Sequence, residues 1–159
     1  MKNTPSNGFT LIELLAVILI VAILVAWAIP AYERAVENTR VAEAKIILKS
    51  IYDANNIYNM STGNYTSDVD ELEITIPGES EVVEGTTRIN TKTFQYGAGA
   101  DDTLAFAVRL PTNDLASYTL RILKGVPGIV LCSADTQAGI DKCIEFSDGV
   151  QRGDYYVIP

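Results

Sequence analysis

The sequence predicts an α+β fold, in which one long N-terminal helix lays its distal half on an antiparallel sheet of about four strands. Three observations carry that expectation. Residues 9–29 are apolar apart from Thr10 and Glu13. Apolar residues then recur at three- and four-residue spacing as far as Tyr58, the period of a helix buried along one side. Beyond residue 92, short apolar or alternating stretches are separated by Gly, Pro, Asn and Asp, the punctuation of strands and turns.

The apolar run comes first. As a helix its 21 residues would span about 32 Å at ~1.5 Å per residue, matching a hydrocarbon core of about 30 Å. Three readings compete: a secretory signal cut after Ala28, since Ala26-Trp27-Ala28 fits the small-residue pattern; a plain membrane anchor; and a signal cut ahead of the apolar stretch. Length argues against the first, because secretory apolar regions run about 7–15 residues. Glu13 argues against the second. A carboxylate inside an apolar span costs on the order of 3 kcal/mol, and a plain anchor has no use for it.

The residues around that glutamate carry a resemblance. Gly8-Phe9-Thr10-Leu11-Ile12-Glu13-Leu14-Leu15 resembles the cleavage and methylation motif of type IV prepilins and the related pseudopilins. The resemblance implies that residues 1–8 are a leader cut after Gly8 by a prepilin peptidase, and that Phe9 is then N-methylated. It also implies that Glu13 neutralises the N-terminal amine of an adjacent subunit. The chemistry is coherent: Gly8 suits an extended, accessible cleavage site, and a new cation at Phe9 needs a partner in a medium of low dielectric. Two features depart from the pattern. Asn7 stands where the family usually has a basic residue, with Lys2 the lone leader charge. Arg34, Arg40, Lys45 and Lys49 follow the span, so a count of basic residues alone would place that side in the cytoplasm; the cleavage motif and the cysteines require the opposite orientation.

On this resemblance the chain is a type IV pilus subunit. It is stored as a single-pass protein among inner-membrane lipids, processed by the peptidase and methyltransferase, and passed to the pilus assembly machinery. It then polymerises with identical copies into an extracellular filament. The alternatives are the major pseudopilin of a type II secretion system and, from another class, a membrane-anchored binding module that never polymerises.

Pro30 removes a backbone donor from the helix and favours a kink; the alternative is that it ends one helix. Past it, Val41, Ala44, Leu48, Ile51, Ala54 and Tyr58 form an apolar stripe that Ile47 and Ile57 widen. Gly63 reads as the stop. A helix from Phe9 to about Ser61 would be about 80 Å long, too long for all of it to lie on the remaining domain. The expected segments are thus 1–8 (leader), 9–29 (transmembrane and assembly helix), 30–61 (amphipathic half) and 62–159 (globular head).

In the head, Gly63-Asn64-Tyr65-Thr66 resembles the turn after the long helix in many pilins. Residues 68–91 are rich in acids and turn formers and read as a surface connection. Asp68, Asp70, Glu71 and Glu73 could bind calcium, as some pseudopilins do, but four acids without a defined loop are ordinarily solvated. No metal or cofactor is therefore expected. Strands are expected at 93–96, 104–110, 118–123 and 128–132, with turns at 97–102, 111–114 and 124–128. A terminal strand at Tyr155-Tyr156 would pack one ring inward.

Cys132 and Cys143, with ten residues between them in a chain with an export-like N-terminus, suggest a disulfide; two free buried thiols are the alternative. The bond would stabilise the fold by about 3 kcal/mol on the chain-entropy model, and the resemblance places it in the pilin D-region. With 12 basic against 20 acidic side chains and a net charge of −8, no basic patch invites nucleic acid. Histidine is absent, and neither a Ser/His pairing, a phosphate-cradling glycine loop nor a Cys/His metal spacing appears. No enzyme is expected.

Overall fold

The computed structural model describes residues 9–111 and 116–159, and they divide into two units, Met1–Thr39 and Arg40–Pro159. Gly8 and the rest of the expected leader lie outside the described residues, as does most of the turn expected at 111–114.

Helix α1 (Leu11–Thr62) carries Pro30 inside it, so the proline does not end the helix. In the first unit α1 is exposed on every side: Leu11 is 88% and Trp27 83% accessible. Leu, Ile, Val and Ala dominate residues 14–29, and no face of that stretch is polar enough to prefer water. It is long and apolar enough to cross a membrane.

In the second unit α1 becomes amphipathic. Val41, Ala44, Leu48 and Ile51 are buried, and Asn55 extends the same stripe. Ile57, expected to widen it, instead faces outward at 65% exposure; position 55, one turn beyond Ile51, takes the inward place. The helix stops where Gly63 turns to φ +83° and its N–H closes on the Asn59 carbonyl at 2.8 Å. Only a residue without a Cβ reaches that conformation without strain.

The stripe packs on an antiparallel sheet. Among the described residues the sheet has eight strands, not about four: β1 (Glu79–Val83), β2 (Thr86–Asn90), β3 (Phe94–Ala98), β4 (Thr103–Arg109), β5 (Thr119–Leu123), β6 (Val130–Ser133), β7 (Gln151–Arg152) and β8 (Tyr155–Ile158). Their spatial order is β1-β2-β3-β4-β5-β6-β8-β7. Strands β3 to β6 are the four expected from alternation. Strand β8 contains the terminal strand expected at Tyr155-Tyr156, whereas β1 and β7 lack that signal. In β1 four of five residues are exposed, so nothing alternates along it, and β7 is two residues long. The segment read as a surface connection thus holds a β1–β2 hairpin, preceded by a single 3-10 turn at Val69–Glu71.

Alternation along β3 to β5 sends Phe94, Tyr96, Leu120 and Ile122 into the core with Leu48 and Ile51 of α1. The ring of Phe94 meets Tyr118 edge-on at 6.0 Å, and Tyr118 meets Phe146 at 5.2 Å. Phe146 belongs to a second helix, α2 (Gln137–Phe146), that sequence periodicity did not announce. The Thr136 hydroxyl caps it by accepting from the Gly139 N–H, a standard helix start. In β8, Tyr156 packs against the core, while Tyr155 lies beneath the Arg121 guanidinium at 5.6 Å.

Candidate functional site

The end of α1 is closed by its own side chains. Thr10 precedes the first helical residue, and its N–H and hydroxyl both donate to Glu13 Oε2, at 2.9 and 2.6 Å. The Glu13 N–H returns a bond to Thr10 Oγ1 at 3.3 Å. This reciprocal pair is a capping box, which satisfies donors that the first helical turn would otherwise leave open. The sequence signal, Thr followed three residues later by Glu, was legible; reading Glu13 for a neighbouring amine alone passed over its work within its own helix.

The box also aims the carboxylate. Both Thr10 donors converge on Oε2, so Oε1 keeps capacity for a further donor. Negative charge at a helix N-terminus is favoured by the backbone dipoles. Phe9, next to the box, is 81% exposed. The arrangement can therefore hold a cation beside Phe9, at the head of a wholly apolar rod.

The second unit contains the expected cysteine pair and the four acidic candidates. Cys132 on β6 and Cys143 on α2 are bonded, with their Cα atoms 5.5 Å apart, and both are fully buried. The disulfide ties α2 down onto the sheet. Asp68, Asp70, Glu71 and Glu73 do not converge. Asp68 caps the 3-10 turn by accepting from the Asp70 N–H at 2.9 Å. The Glu71 carboxylate accepts from Tyr58 and holds that phenol above its usual range. Among the described residues no three acidic, Cys or His side chains are placed to share a metal ion.

A residue missed in the sequence organises this unit. Asn55, fully buried, donates to the carbonyls of Thr66, Gly99 and Leu104 at 3.0, 2.9 and 3.2 Å. It joins α1 to the segment that follows it and to the β3–β4 turn. An amide standing in an apolar stripe was the available signal.

Known proteins show the same N-terminal character. The model of the prokaryotic N-terminal methylation motif matches residues 3–29, the stretch that ends in the exposed apolar rod. A fimbrial protein of Neisseria meningitidis serogroup A is 42% identical over 65 residues, 41% of this chain and 38% of that protein. The type IV major pilin protein PilE of Neisseria gonorrhoeae is 41% identical over 66 residues, 42% of this chain and 40% of its own length. The chain is thus similar to type IV major pilins over about two fifths of its length. The major pilin PilA of Myxococcus xanthus is also similar, at 36% identity over 70 residues, 44% of this chain and 32% of that pilin. The chain thus spans about two fifths or less of the length of these relatives. No solved structure is a significant match. The remainder of the chain, the sheet included, is described by its own geometry.

Proposed function

We propose that this chain is a pilin, a structural subunit of a type IV pilus. It is held in the inner membrane by residues 9–29, cut after Gly8 by a prepilin peptidase, N-methylated at Phe9, and polymerised into an extracellular filament. One observation carries the reading: an apolar rod exposed on all sides, headed by a carboxylate that its own cap orients. An anchor needs the rod alone. A subunit that leaves lipid for a bundle of like helices needs both, because burial is kept while the acid sets the stagger by pairing with the amine of the next copy. A bend at Pro30 would let the two halves of α1 follow different neighbours.

The test is direct. Surface material sheared from cells that express the chain is imaged by electron microscopy, and its N-terminus is read by mass spectrometry. Filaments whose subunit begins at N-methylated Phe9 are expected. A chain that keeps residues 1–8 in its working form, or that yields no filament, overturns the proposal.

A further inference from the structure

Resting on the filament reading, we propose that the β1–β2 hairpin of one copy docks into a groove beside α1 on a second copy. The groove has a volume of about 300 Å³ and lies within the second unit, between α1 and the β5–β6 part of the sheet. Ala42, Ile46, Ile122 and Val130 line it, with Lys45 and Lys49 at its side. Ile46 is 70% exposed, an apolar side chain with nothing over it. The Lys45 ammonium is fixed there by the carbonyl of Pro159. Further along, Lys124 stands over the Tyr65 ring at 4.5 Å, which adds positive charge in the loop after β5.

The hairpin has the complementary character. Strand β1 pairs with β2 alone and forms one end of the sheet. Its Val82 is 72% exposed; exposed Glu84 follows in the turn, and exposed Glu79 and Glu81 stand on the opposite face of the strand, where Glu81 accepts from Asn90 and Gln95. Glu43 of α1 lines a hollow with Glu79 on this flank. One end of the sheet therefore offers an apolar knob on an acidic edge strand, and the groove near the other offers an apolar hollow beside lysines. Opposite potentials steer such surfaces together and fix their register. Two hairpins meeting edge to edge would instead bring glutamates against glutamates, the usual way an open edge is protected from pairing with itself. A knob and a hollow at different places on one chain make a head-to-tail contact, which propagates into an open helical array and does not close into a dimer.

The contact is tested in filaments of the full chain by pairing Val82→Cys with Ile46→Cys and adding a short bifunctional thiol reagent. A ladder of cross-linked multimers is expected; either single variant should stop at no more than a dimer. Charge reversal is the second arm. Lys49→Glu should lower filament yield by about tenfold or more at unchanged subunit level in the membrane, and adding Glu81→Lys and Glu84→Lys should restore most of it. Wild-type filaments whose paired variant gives no ladder, or a reversal that the compensating pair does not rescue, overturn the docking and leave the filament reading standing. If the wild-type chain forms no filament, the reading beneath the proposal fails and the docking fails with it.

Discussion

Asn55 and Thr66 bond each other in both directions: the Asn55 amide donates to the Thr66 carbonyl, and the Thr66 N–H donates to Asn55 Oδ1, each at 3.0 Å. With Gly99 and Leu104 also accepting from Asn55, one side chain serves backbone groups of the segment after α1 and of the β3–β4 connection, where the Leu104 carbonyl accepts from the Gly99 N–H as well. Truncation would strand those groups away from water, where each costs about 1–3 kcal/mol. Asn55→Ala should therefore destabilise the second unit by about 3 kcal/mol or more in urea unfolding of the detergent-solubilised chain. Asn55→Asp should do no better, because it replaces the donor that faces three carbonyls with an acceptor. A loss below about 1 kcal/mol for Asn55→Ala would show that water takes over the bonds.

Gly97 and Phe106 oppose each other across β3 and β4, and a Cβ on Gly97 would run into the Phe106 ring. The ring in turn lies under the Arg88 guanidinium at 5.4 Å. Gly97→Ala should cost about 1–3 kcal/mol through overpacking, although alanine suits a strand no worse than glycine. The cost should largely vanish in a Phe106→Ala background, giving a coupling of about 1 kcal/mol or more in a double-mutant cycle. Additive losses would place the strain elsewhere.

What the sequence disclosed, and what it hid, follows from where burial leaves a periodic trace. Helix α1 was legible because Val41 to Ile51 repeat at helical spacing and Gly63 stops them. Strands β3 to β6 were legible because Phe94, Tyr96, Leu120 and Ile122 alternate inward. The β1–β2 hairpin was not: Glu79, Ser80 and Glu81 are exposed whichever way they point, and its turn uses Glu84-Gly85, both at positive φ, where asparagine or aspartate before glycine would have signalled it. Helix α2 is three turns long and buries Gly139, Cys143 and Phe146, too few apolar side chains to register as a stripe. At the site, Glu13 stood out as a carboxylate in an apolar run, while the cap formed by Thr10 needed the helix start to be fixed first.

Tyr96 gives the fold a dependence on alkaline pH. Burial, reinforced by the charge of Glu43, pushes its phenol far above the ordinary tyrosine range. The folded state then keeps a proton that the unfolded chain releases near pH 10. Where the folded state binds more protons, stability falls as pH rises. Stability should be steady below about pH 9 and decline above about pH 10, by at most ~1.4 kcal/mol per unit from this group. Tyr58, raised in the same direction by Glu71, adds to the slope. Tyr96→Phe should flatten the decline in urea midpoints measured from pH 8 to pH 11; an unchanged slope would exonerate the buried phenol.

Cys132 and Cys143 link β6 to α2 across a short loop, and α2 carries the Phe146 ring that meets Tyr118 in the core. Cys132→Ala/Cys143→Ala should lower stability by about 3 kcal/mol through the greater freedom of the unfolded chain. A reducing agent should bring the wild type to the same urea midpoint and leave the double variant unmoved. Coincident oxidised midpoints would mean that the packing of α2 alone holds the segment.

Glu13 has two possible duties, closing its own helix and meeting the amine of another copy, and substitutions separate them. Glu13→Gln keeps an acceptor for Thr10, since a capping box works with either residue, but removes the charge. Thr10→Val keeps the charge and removes the hydroxyl, at about 1 kcal/mol of helix start. If the acid acts on a neighbour, Glu13→Ala and Glu13→Gln should both insert in the membrane and be cut after Gly8, yet lower filament yield by about tenfold or more. Thr10→Val should then assemble far better than either. If the cap is the acid's whole purpose, the order reverses, with Glu13→Gln assembling and Thr10→Val failing. Immunoblots of membrane and sheared fractions decide between them. The first order is expected, because a cap on an exposed helix end is worth far less than a charge that must find a partner in an apolar bundle.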